Sequence, residues 1–384
     1  MKSLITKRQL LFVILVLLCG INPIYADTSK ELYVSNGNLS DLLPERERFK
    51  ITDLTLSGEL NIYDLEVIRQ MGRCYKSNGS RYDGHLRYLD LSNATFVGNG
   101  TLKIPNSNIT LQLNNGSGNY LFMRMESLHT IKLPNSLEIM GYCLFLGCDS
   151  LTSVTLPKSL KPFSSLSWCI NFYQNDNLTS ILIDDSNPYY SSDGSALFDK
   201  YKTNILFAVN SLREYAIPSS VSEIDINAFY NCLHLKTLVL PLRLKREKVH
   251  ASGFWDCDSL YSISVDEKNP YLCSDGSALY NKDKSELVFV CHTVRKMSIP
   301  SSVTKIGDYA FCKCTNLTSI ELPSGVTSLG DDAFINCTNL SSLTLPSSVK
   351  KIGSSAFWGC ESLTSITLPS GVENVWSHTF GYCI

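Results

Sequence analysis

The sequence has little of what most classes of function require. Its 34 Lys and Arg nearly balance its 36 Asp and Glu, for a net charge of −2, so nothing favours a nucleic acid or an anionic membrane as the partner. Its six histidines include no pair at the i, i+4 spacing of a helical metal site, and no CxxC pair occurs. Phosphate-binding, dinucleotide-binding and nucleophile-elbow motifs are also missing. We therefore expect no enzymatic activity, metal or cofactor.

Long apolar runs are lacking too, except for one near the start of the chain. Ten apolar residues from Leu10 to Cys19 follow three basic residues, and Ala26 ends the segment. A basic start, a short apolar run and a final small residue predict a secretory signal peptide at 1–26, which is too short to span a membrane. Lipidation of Cys19 is an alternative that the two leucines before it disfavour. We expect a secreted or cell-surface protein whose mature chain has no transmembrane segment.

What the sequence does contain is repetition. Three blocks of 23 residues, Ile299–Glu321, Leu322–Thr344 and Leu345–Thr367, are nearly identical, and a fourth, Leu368–Ile384, is shorter. A fixed period in the twenties indicates one supersecondary unit per repeat, and each unit buries its apolar face against its neighbours. Such a chain makes a long surface rather than a pocket, which favours a binding function.

Each repeat contains a strand phrase, L-x-x-L-x-L, preceded by a Phe and a Cys at fixed distances. The Phe column comprises Phe122, Phe145, Phe172, Phe229, Phe254, Phe311, Phe334, Phe357 and Phe380. Three residues after each Phe, the Cys column comprises Cys148, Cys232, Cys257, Cys314, Cys337, Cys360 and Cys383, with Met125 and Asn175 in two repeats. A stacked core produces such columns, so we expect buried Phe rings and buried free thiols. The alternative for a secreted chain is a disulfide framework.

Two matching insertions, 187–209 and 269–290, lengthen two of the repeats. Each has an Asn-Pro turn, an Asp-Gly pair and two short apolar runs, a pattern that predicts a β-hairpin projecting from the edge of the stack. The Asp-Gly pairs begin at Asp193 and Asp275. Calcium binding is one interpretation of them, but a lone Asp-Gly is more typical of a turn.

The repeat signal fades in the region 27–120. Ile51–Leu56 and Leu86–Leu91 match the strand phrase, and between them Asn61–Arg73 has apolar residues at helical spacing with its first residue as a plausible N-cap. We predict an atypical strand–helix–strand unit that caps the stack. The Asn- and Gly-rich stretch 92–118 is predicted to be an irregular loop.

The x positions of the strand phrase are expected to line a concave face, because alternate residues of a strand point opposite ways. Ser and Thr fill most of them. Larger or charged side chains interrupt this pattern, and we name five of them as candidate ligand-binding residues, the anchor residues, because Tyr and Arg are enriched at binding hot spots. They are Arg213, Lys236, Tyr261, Arg295 and Lys296. The simpler explanation is that Thr favours strands and the charges keep the face soluble.

The block IPSSVTKIGDYAFCKCTNLTSIEL resembles the leucine-rich repeat of the BspA-like family, whose usual form is close to LPxSVxxIGxxAFxxCxxLxxIxL. The resemblance extends over the repeats at 121–384. It implies an α/β solenoid, a right-handed stack with a parallel sheet on the concave face and short helical or irregular convex segments. It also implies a surface protein that adheres to a host extracellular protein, a glycan or another surface protein. The resemblance carries no residue-level binding site.

Two functions of different classes are therefore open. The first is a non-enzymatic binding protein that recognises its ligand through the solenoid surface. The second is an enzyme or enzyme-inhibitor module with its site in 27–120. That region contains several acidic residues that are candidates for such a site, but their spacing does not pair them convincingly. They include Asp53, Glu59, Asp64, Glu66 and Asp83.

Overall fold

A computed structural model of the protein describes residues 28–76, 79–104, 109–114, 117–162 and 171–383. The predicted signal peptide at 1–26, with Cys19, and also Cys169 lie outside these residues. The described helices are α1 (Leu39–Leu42), α2 (Glu45–Arg48) and α3 (Ile62–Met71), with 3-10 turns at Arg246–Lys248 and Ala251–Phe254. None of these helices is long and apolar enough to cross a membrane.

Short strands dominate the described chain. In order they are β1 (Ser29–Ser35), β2 (Asp53–Leu60), β3 (Tyr88–Phe96), β4 (Asn99–Lys103), β5 (Thr110–Asn114), β6 (Ser117–Asn119), β7 (Thr130–Lys132), β8 (Ser153–Leu156), β9 (Ser180–Ile183), β10 (Tyr190–Ser192), β11 (Ala196–Asp199), β12 (Asn204–Ala208), β13 (Glu214–Ala216), β14 (Glu223–Ile224), β15 (Thr237–Leu240), β16 (Ser262–Val265), β17 (Leu272–Ser274), β18 (Ala278–Asn281), β19 (Glu286–Val290), β20 (Lys305–Ile306), β21 (Ser319–Glu321), β22 (Ser328–Leu329), β23 (Ser342–Thr344) and β24 (Lys351–Ile352).

The N-terminal region joins the repeats through a continuous sheet. Strands β1, β2 and β3 pair in parallel, and β3 pairs with β7 of the first repeat. Helix α3 lies between β2 and β3 and starts where the sequence predicts: the Asn61 side chain accepts the backbone N–H groups of Tyr63 and Asp64. The Asp64 carboxylate in turn accepts the Asn61 N–H at 2.9 Å, which completes a capping box.

The prediction of an irregular loop over 92–118 was wrong. Strand β3 runs on to Phe96, and β4, β5 and β6 form a separate antiparallel sheet. In β5 the buried Leu111 and Leu113 alternate with polar residues, so one face of this small sheet packs against the core. The abundant Asn and Gly residues concealed that short alternation.

The strand phrases form parallel ladders, which we call the phrase sheets. They are the six-stranded sheet β1-β2-β3-β7-β8-β9, the three-stranded sheet β13-β15-β16 and the pair β21-β23. In most of these strands the inward residues, such as Leu238 and Ile263, are buried and the alternate residues are at least partly exposed. This alternation confirms the parallel strands and the outward direction predicted for the x positions.

A second set of parallel strands replaces part of the irregular backbone predicted opposite the phrase sheets. Strand β12 pairs with β14, and β19 continues through β20, β22 and β24. The last three strands have only two residues each, at the V-x-x-I-G segment of the repeat. Two residues are too few to produce a periodicity signal, so the pairing becomes visible only when the repeats stack.

The Phe column is a stacked core, as predicted. Phe311, Phe334 and Phe357 are completely buried. The ring centroid of Phe334 lies 4.6 Å from that of Phe311 and 5.5 Å from that of Phe357, with the planes tilted by 7° and 15°. Offset-stacked rings at such distances add a specific attraction to the burial of apolar surface. Each repeat therefore depends on its two neighbours for its core.

The cysteines of the column are free thiols with a shared hydrogen-bonding role. The Sγ–H of Cys337 donates to the Phe311 carbonyl at 3.0 Å, and that of Cys360 donates to the Phe334 carbonyl at 3.2 Å. Where Asn175 replaces Cys, its Nδ2 donates to the Phe145 carbonyl at 2.9 Å. In these repeats the residue at this position thus links one repeat to the column Phe of the repeat before it, whereas Cys314, which follows an insertion, donates to the Val290 carbonyl.

These thiols should be nearly inert in the folded protein. Burial raises the pKa of Cys148 and of Cys360 to about 12, so the reactive thiolate is scarce at pH 8. We expect iodoacetamide to modify the half-buried Cys143, Cys273 and Cys383, the last residue of the column, at least about 100-fold faster than the fully buried cysteines of the column. Mass spectrometry of peptides from native and urea-unfolded protein measures this ratio. Equal rates in the native protein would contradict the buried column.

The two insertions do not project from the stack. Each forms three antiparallel strands, β10-β11-β12 and β17-β18-β19, rather than one free hairpin. Phe207 and Phe289, in the last strand of each, are buried and lie 4.9 Å from Phe172 and 4.8 Å from Phe254 between ring centroids. The insertions therefore supply the missing Phe rings to the column, and their strands extend the second set of sheets.

The turn at the centre of each insertion reaches the phrase sheets. Gly194 forms an antiparallel bridge with Ile181 of β9, and Gly276 forms one with Ile263 of β16. Both glycines have positive φ, +93° and +97°, a conformation that side chains disfavour. The phrase sheets end beside these two turns, so β13, β15 and β16 form a segment bounded on both sides.

Candidate binding surface

The carboxylates of the N-terminal region serve its fold. Asp64 accepts the backbone N–H groups of Gly37 and Leu39 at 2.8 and 3.0 Å, in addition to that of Asn61. Glu66 lies 3.7 Å from the Arg69 guanidinium, and burial raises its pKa despite that cation. Neither carboxylate faces a second one across a pocket, which is the arrangement that acid–base hydrolysis would need.

A cavity of about 230 Å³ lies behind α3. Its described lining contains Arg69, Cys74 and Tyr75 but no carboxylate and no histidine. The Arg69 Nη1 donates to the carbonyls of Leu121 and Met123 at 3.3 and 2.9 Å, and thus holds the turn that follows β6. Within the described ranges no group of three His, Cys, Asp or Glu could hold a metal ion.

Three of the five anchor residues lie side by side on the middle phrase sheet. Arg213, Lys236 and Tyr261 immediately precede or begin the strands β13, β15 and β16 in three consecutive repeats. The Lys236 N–H donates to the Arg213 carbonyl at 2.6 Å, and the Tyr261 N–H donates to the Lys236 carbonyl at 3.1 Å. All three side chains are exposed. The backbone ladder therefore sets them in one column.

The other two anchor residues belong to the next repeat. The Thr293 hydroxyl donates to the Leu260 carbonyl at 3.2 Å, which places the segment before Arg295 beside the segment before Tyr261. Arg295 and Lys296 are both exposed. Arg213 and Arg295 each follow one of the insertion turns at the same phrase position, so the duplication seen in the sequence is also a duplication on this face.

The cations of this group have no internal partners. No ion pair joins Arg213, Lys236, Arg295 or Lys296 to a carboxylate in the described part of the chain, where ten ion pairs occur elsewhere. Some other cations of the protein are paired: Arg246, for example, makes two hydrogen bonds of 2.9 Å to Glu286. Free cations on an ordered face are available to a ligand.

The first phrase sheet shows the contrasting arrangement. Lys132 lies 2.8 Å from the Asp90 carboxylate. Burial opposes ionisation of Asp90, but hydrogen bonds from Lys132 and Ser92 outweigh it and lower its pKa to about 2. The charge of Lys132 is therefore neutralised within the protein, unlike those of the anchor residues.

The carboxylates of the two insertion turns are engaged within the protein. Asp193 accepts hydrogen bonds from the Ala196 N–H at 2.8 Å and from the Tyr215 hydroxyl at 2.7 Å. Burial raises the pKa of Tyr215, and the hydrogen bond to Asp193 raises it further. Asp275 accepts two backbone N–H groups and the Tyr280 hydroxyl. These contacts support the turn interpretation of both Asp-Gly pairs. Glu214 is the exposed carboxylate that remains beside Arg213.

The sequence prediction covered Tyr261 and the Ser and Thr positions of this surface but missed Val239. Tyr261 is 54% exposed and Val239 is 44% exposed, and Thr237, Ser262 and Ser264 lie between them on the outer side of β15 and β16. The Val239 signal was available, since a large apolar residue occupies an x position that Ser or Thr usually fills. The surface thus combines free cations, one aromatic ring and several hydroxyls.

The chain is similar to several solved leucine-rich-repeat structures. A leucine-rich-repeat protein from Eubacterium ventriosum has 16% identity and a TM-score of 0.46, over 93% of this chain and 89% of that one. A leucine-rich cell-surface protein from Faecalibacterium prausnitzii has 18% identity and a TM-score of 0.44, over 81% and 84%. A leucine-rich-repeat protein from Bacteroides ovatus has 22% identity and a TM-score of 0.38, over 85% and 68%. No curated protein matches the sequence.

The family is decided by the repeats themselves. The model of the BspA-type leucine-rich repeat region, with six copies, matches residues 100–200, 198–284 and 282–384. These matches span well over half of the chain and contain the Phe column, the phrase strands and both insertions. The chain belongs to the BspA-type leucine-rich repeat family.

Proposed function

We propose that this is a non-enzymatic binding protein of the cell surface or extracellular space, and that the anchor residues form its ligand site. The ligand is a host extracellular protein, a glycan or another surface protein. The single observation that carries the proposal is the set of four exposed cations with no ion pair among the described residues. Binding must remove water from these charges, and a ligand of opposite charge offsets that cost by pairing with them.

The proposal extends to the organisation of the whole chain. A signal peptide at 1–26 directs export, the region 27–120 caps the stack, and the repeats form a right-handed solenoid whose concave face is lined by the phrase sheets. The family membership and the parallel ladders support this arrangement. An interaction face made of consecutive repeats suits an extended ligand better than a small one.

The site can be tested by removing its charges together. We expect the variant Arg213→Ser, Arg295→Ser and Lys296→Ser to bind its ligand at least about tenfold more weakly, because each hot-spot side chain contributes more than about 1 kcal/mol. Arrays of extracellular-matrix proteins and glycans, probed with the full chain, identify the ligand and measure the loss. The melting curve should not change, since all three side chains are exposed.

A matched control is provided by Lys350 and Lys351. Both are exposed lysines of the last repeats, at the second set of sheets, so Lys350→Ser with Lys351→Ser removes charge without touching the proposed site. This control should bind like the natural protein. If the triple variant and the natural protein capture the same ligands equally, the anchor residues have no binding role.

A further inference from the structure

We infer that the ligand of the anchor residues is an acidic polysaccharide, a glycan polymer with repeated carboxylate or sulfate groups. This inference rests on the proposed function and specifies its ligand. It is carried by three features of the anchor residues and the middle phrase sheet: the row of cations, the exposed ring of Tyr261 and the paired backbone of the central strand β15.

The cations recur from repeat to repeat. Arg213 and Lys236 occupy the same phrase position in adjacent repeats, joined by a backbone hydrogen bond, and Arg295 occupies it again beyond Tyr261. Neighbouring strands are about 4.8 Å apart, so Arg213 and Lys236 lie one strand spacing apart, and Arg295 and Lys296 follow beyond Tyr261. A polymer that carries an anion on each repeating unit can pair successive anions with such a row of cations. The overall net charge is only −2, so this cationic column is a local feature.

Tyr261 supplies a surface for a sugar ring. Its side chain is 54% exposed and lies in the column between Lys236 and Arg295. An aromatic ring offers an apolar face and, in Tyr, a polar tip, which suits the apolar face and hydroxyl edge of a sugar. The hydroxyls of Ser262 and Ser264 in the same repeat can both donate and accept hydrogen bonds, as recognition of sugar hydroxyls requires.

The backbone of this sheet disfavours an acidic peptide as the ligand. An extended peptide binds a sheet by pairing with a free edge. The central strand β15 has none, because it pairs with β13 on one side and with β16 on the other, and Gly276 bridges to Ile263 of β16. A helical peptide needs an apolar groove, whereas the outward positions here are mainly hydroxyl-bearing or charged, with Val239 and Ala216 as apolar exceptions. A ligand that lies across the middle of this sheet therefore meets side chains, and these match charged sugars.

The experiment uses defined polymers as probes for the full chain. The probes are heparin, polygalacturonate, neutral dextran and polyglutamate, and binding is measured by isothermal titration at low and high salt. We expect heparin or polygalacturonate to bind, dextran not to bind, and salt to weaken the binding. The variant in which Arg213, Lys236, Arg295 and Lys296 are all changed to Ser should lose at least about tenfold in affinity. The Lys350→Ser, Lys351→Ser control should lose none.

Tyr261 distinguishes sugar recognition from simple charge attraction. Tyr261→Ala should weaken the binding of the acidic polysaccharide by about threefold or more and leave any binding of polyglutamate unchanged. Equal weakening for both polymers, or binding of polyglutamate alone, would overturn the inference. So would the absence of binding by both acidic polysaccharides. In that last case the matrix array decides the proposed function. If the triple variant loses a protein ligand there, the proposed function stands and only the polysaccharide inference falls.

Discussion

Replacing Phe334 by Ala is expected to lower the free energy of unfolding by about 3–5 kcal/mol. The side chain is completely buried, with the rings of Phe311 and Phe357 on either side of it. Its removal leaves a cavity that two rings fixed to neighbouring repeats cannot fill. Urea unfolding followed by circular dichroism measures the loss.

Tyr201→Ala is the control for this change. Tyr201 is 83% exposed, so the loss of its ring should alter stability by no more than about 0.5 kcal/mol. The comparison separates burial from aromatic character as the cause. Similar urea midpoints for the Phe334 and Tyr201 variants would show that the Phe column is not the core.

The second large effect is expected at Asn269, where Asn269→Ala should cost about 3–5 kcal/mol. This side chain is completely buried. Its Nδ2 donates to the carbonyls of Pro241 and Leu244 at 2.9 and 3.0 Å, and its Oδ1 accepts the N–H groups of Tyr271 and Leu272 at 2.8 and 2.9 Å. Alanine would remove the partner of the Leu244 carbonyl and of the N–H groups of Tyr271 and Leu272, whereas the Pro241 carbonyl keeps its bond from the Leu244 N–H. Thermal and urea unfolding both measure the loss.

Asn339 offers a matched amide for comparison. Its Nδ2 donates to one carbonyl, that of Thr315, at 2.7 Å, and the side chain is exposed. Water can replace this bond, so Asn339→Ala should cost less than about 1 kcal/mol. If Asn269→Ala costs no more than Asn339→Ala, the Asn of the insertion does not fasten it to the preceding repeat.

Asn187 makes the same contacts in the first insertion. Its Nδ2 donates to the carbonyl of Leu160 at 2.9 Å and its Oδ1 accepts the N–H of Tyr190 at 2.9 Å. The sequence showed only that both insertions begin with Asn-Pro, which predicts a turn. The turn is there, but the amide also bonds to the preceding repeat. That partner is nearly thirty residues away, so no local pattern could reveal it.

The candidate site shows the same division between local and distant information. Charged and aromatic residues at x positions identified Arg213, Lys236 and Tyr261 individually, because the strand phrase determines which residues point outward. Whether the cations of this column form ion pairs depends on the carboxylates that the folded repeats provide. The insertion turns carry Asp193 and Asp275, and these carboxylates accept hydrogen bonds from Tyr215 and Tyr280. The balance of charge on the face was therefore a property of the stacked repeats.

The sequence by itself determined the repeat, the family and the core columns. A period of 23 residues places equal side chains in register, so the burial of Phe334 and Cys337 follows from the pattern without coordinates. Only the tertiary structure decided the two-residue strands such as β24, the antiparallel sheet β4-β5-β6 and the burial of Phe207. Each of these depends on pairing or packing between segments that are distant in the chain or too short to show a period. A regular spacing can be read directly from the sequence. The pairing partner of a short or irregular segment is determined only when the repeats stack and place distant segments next to it.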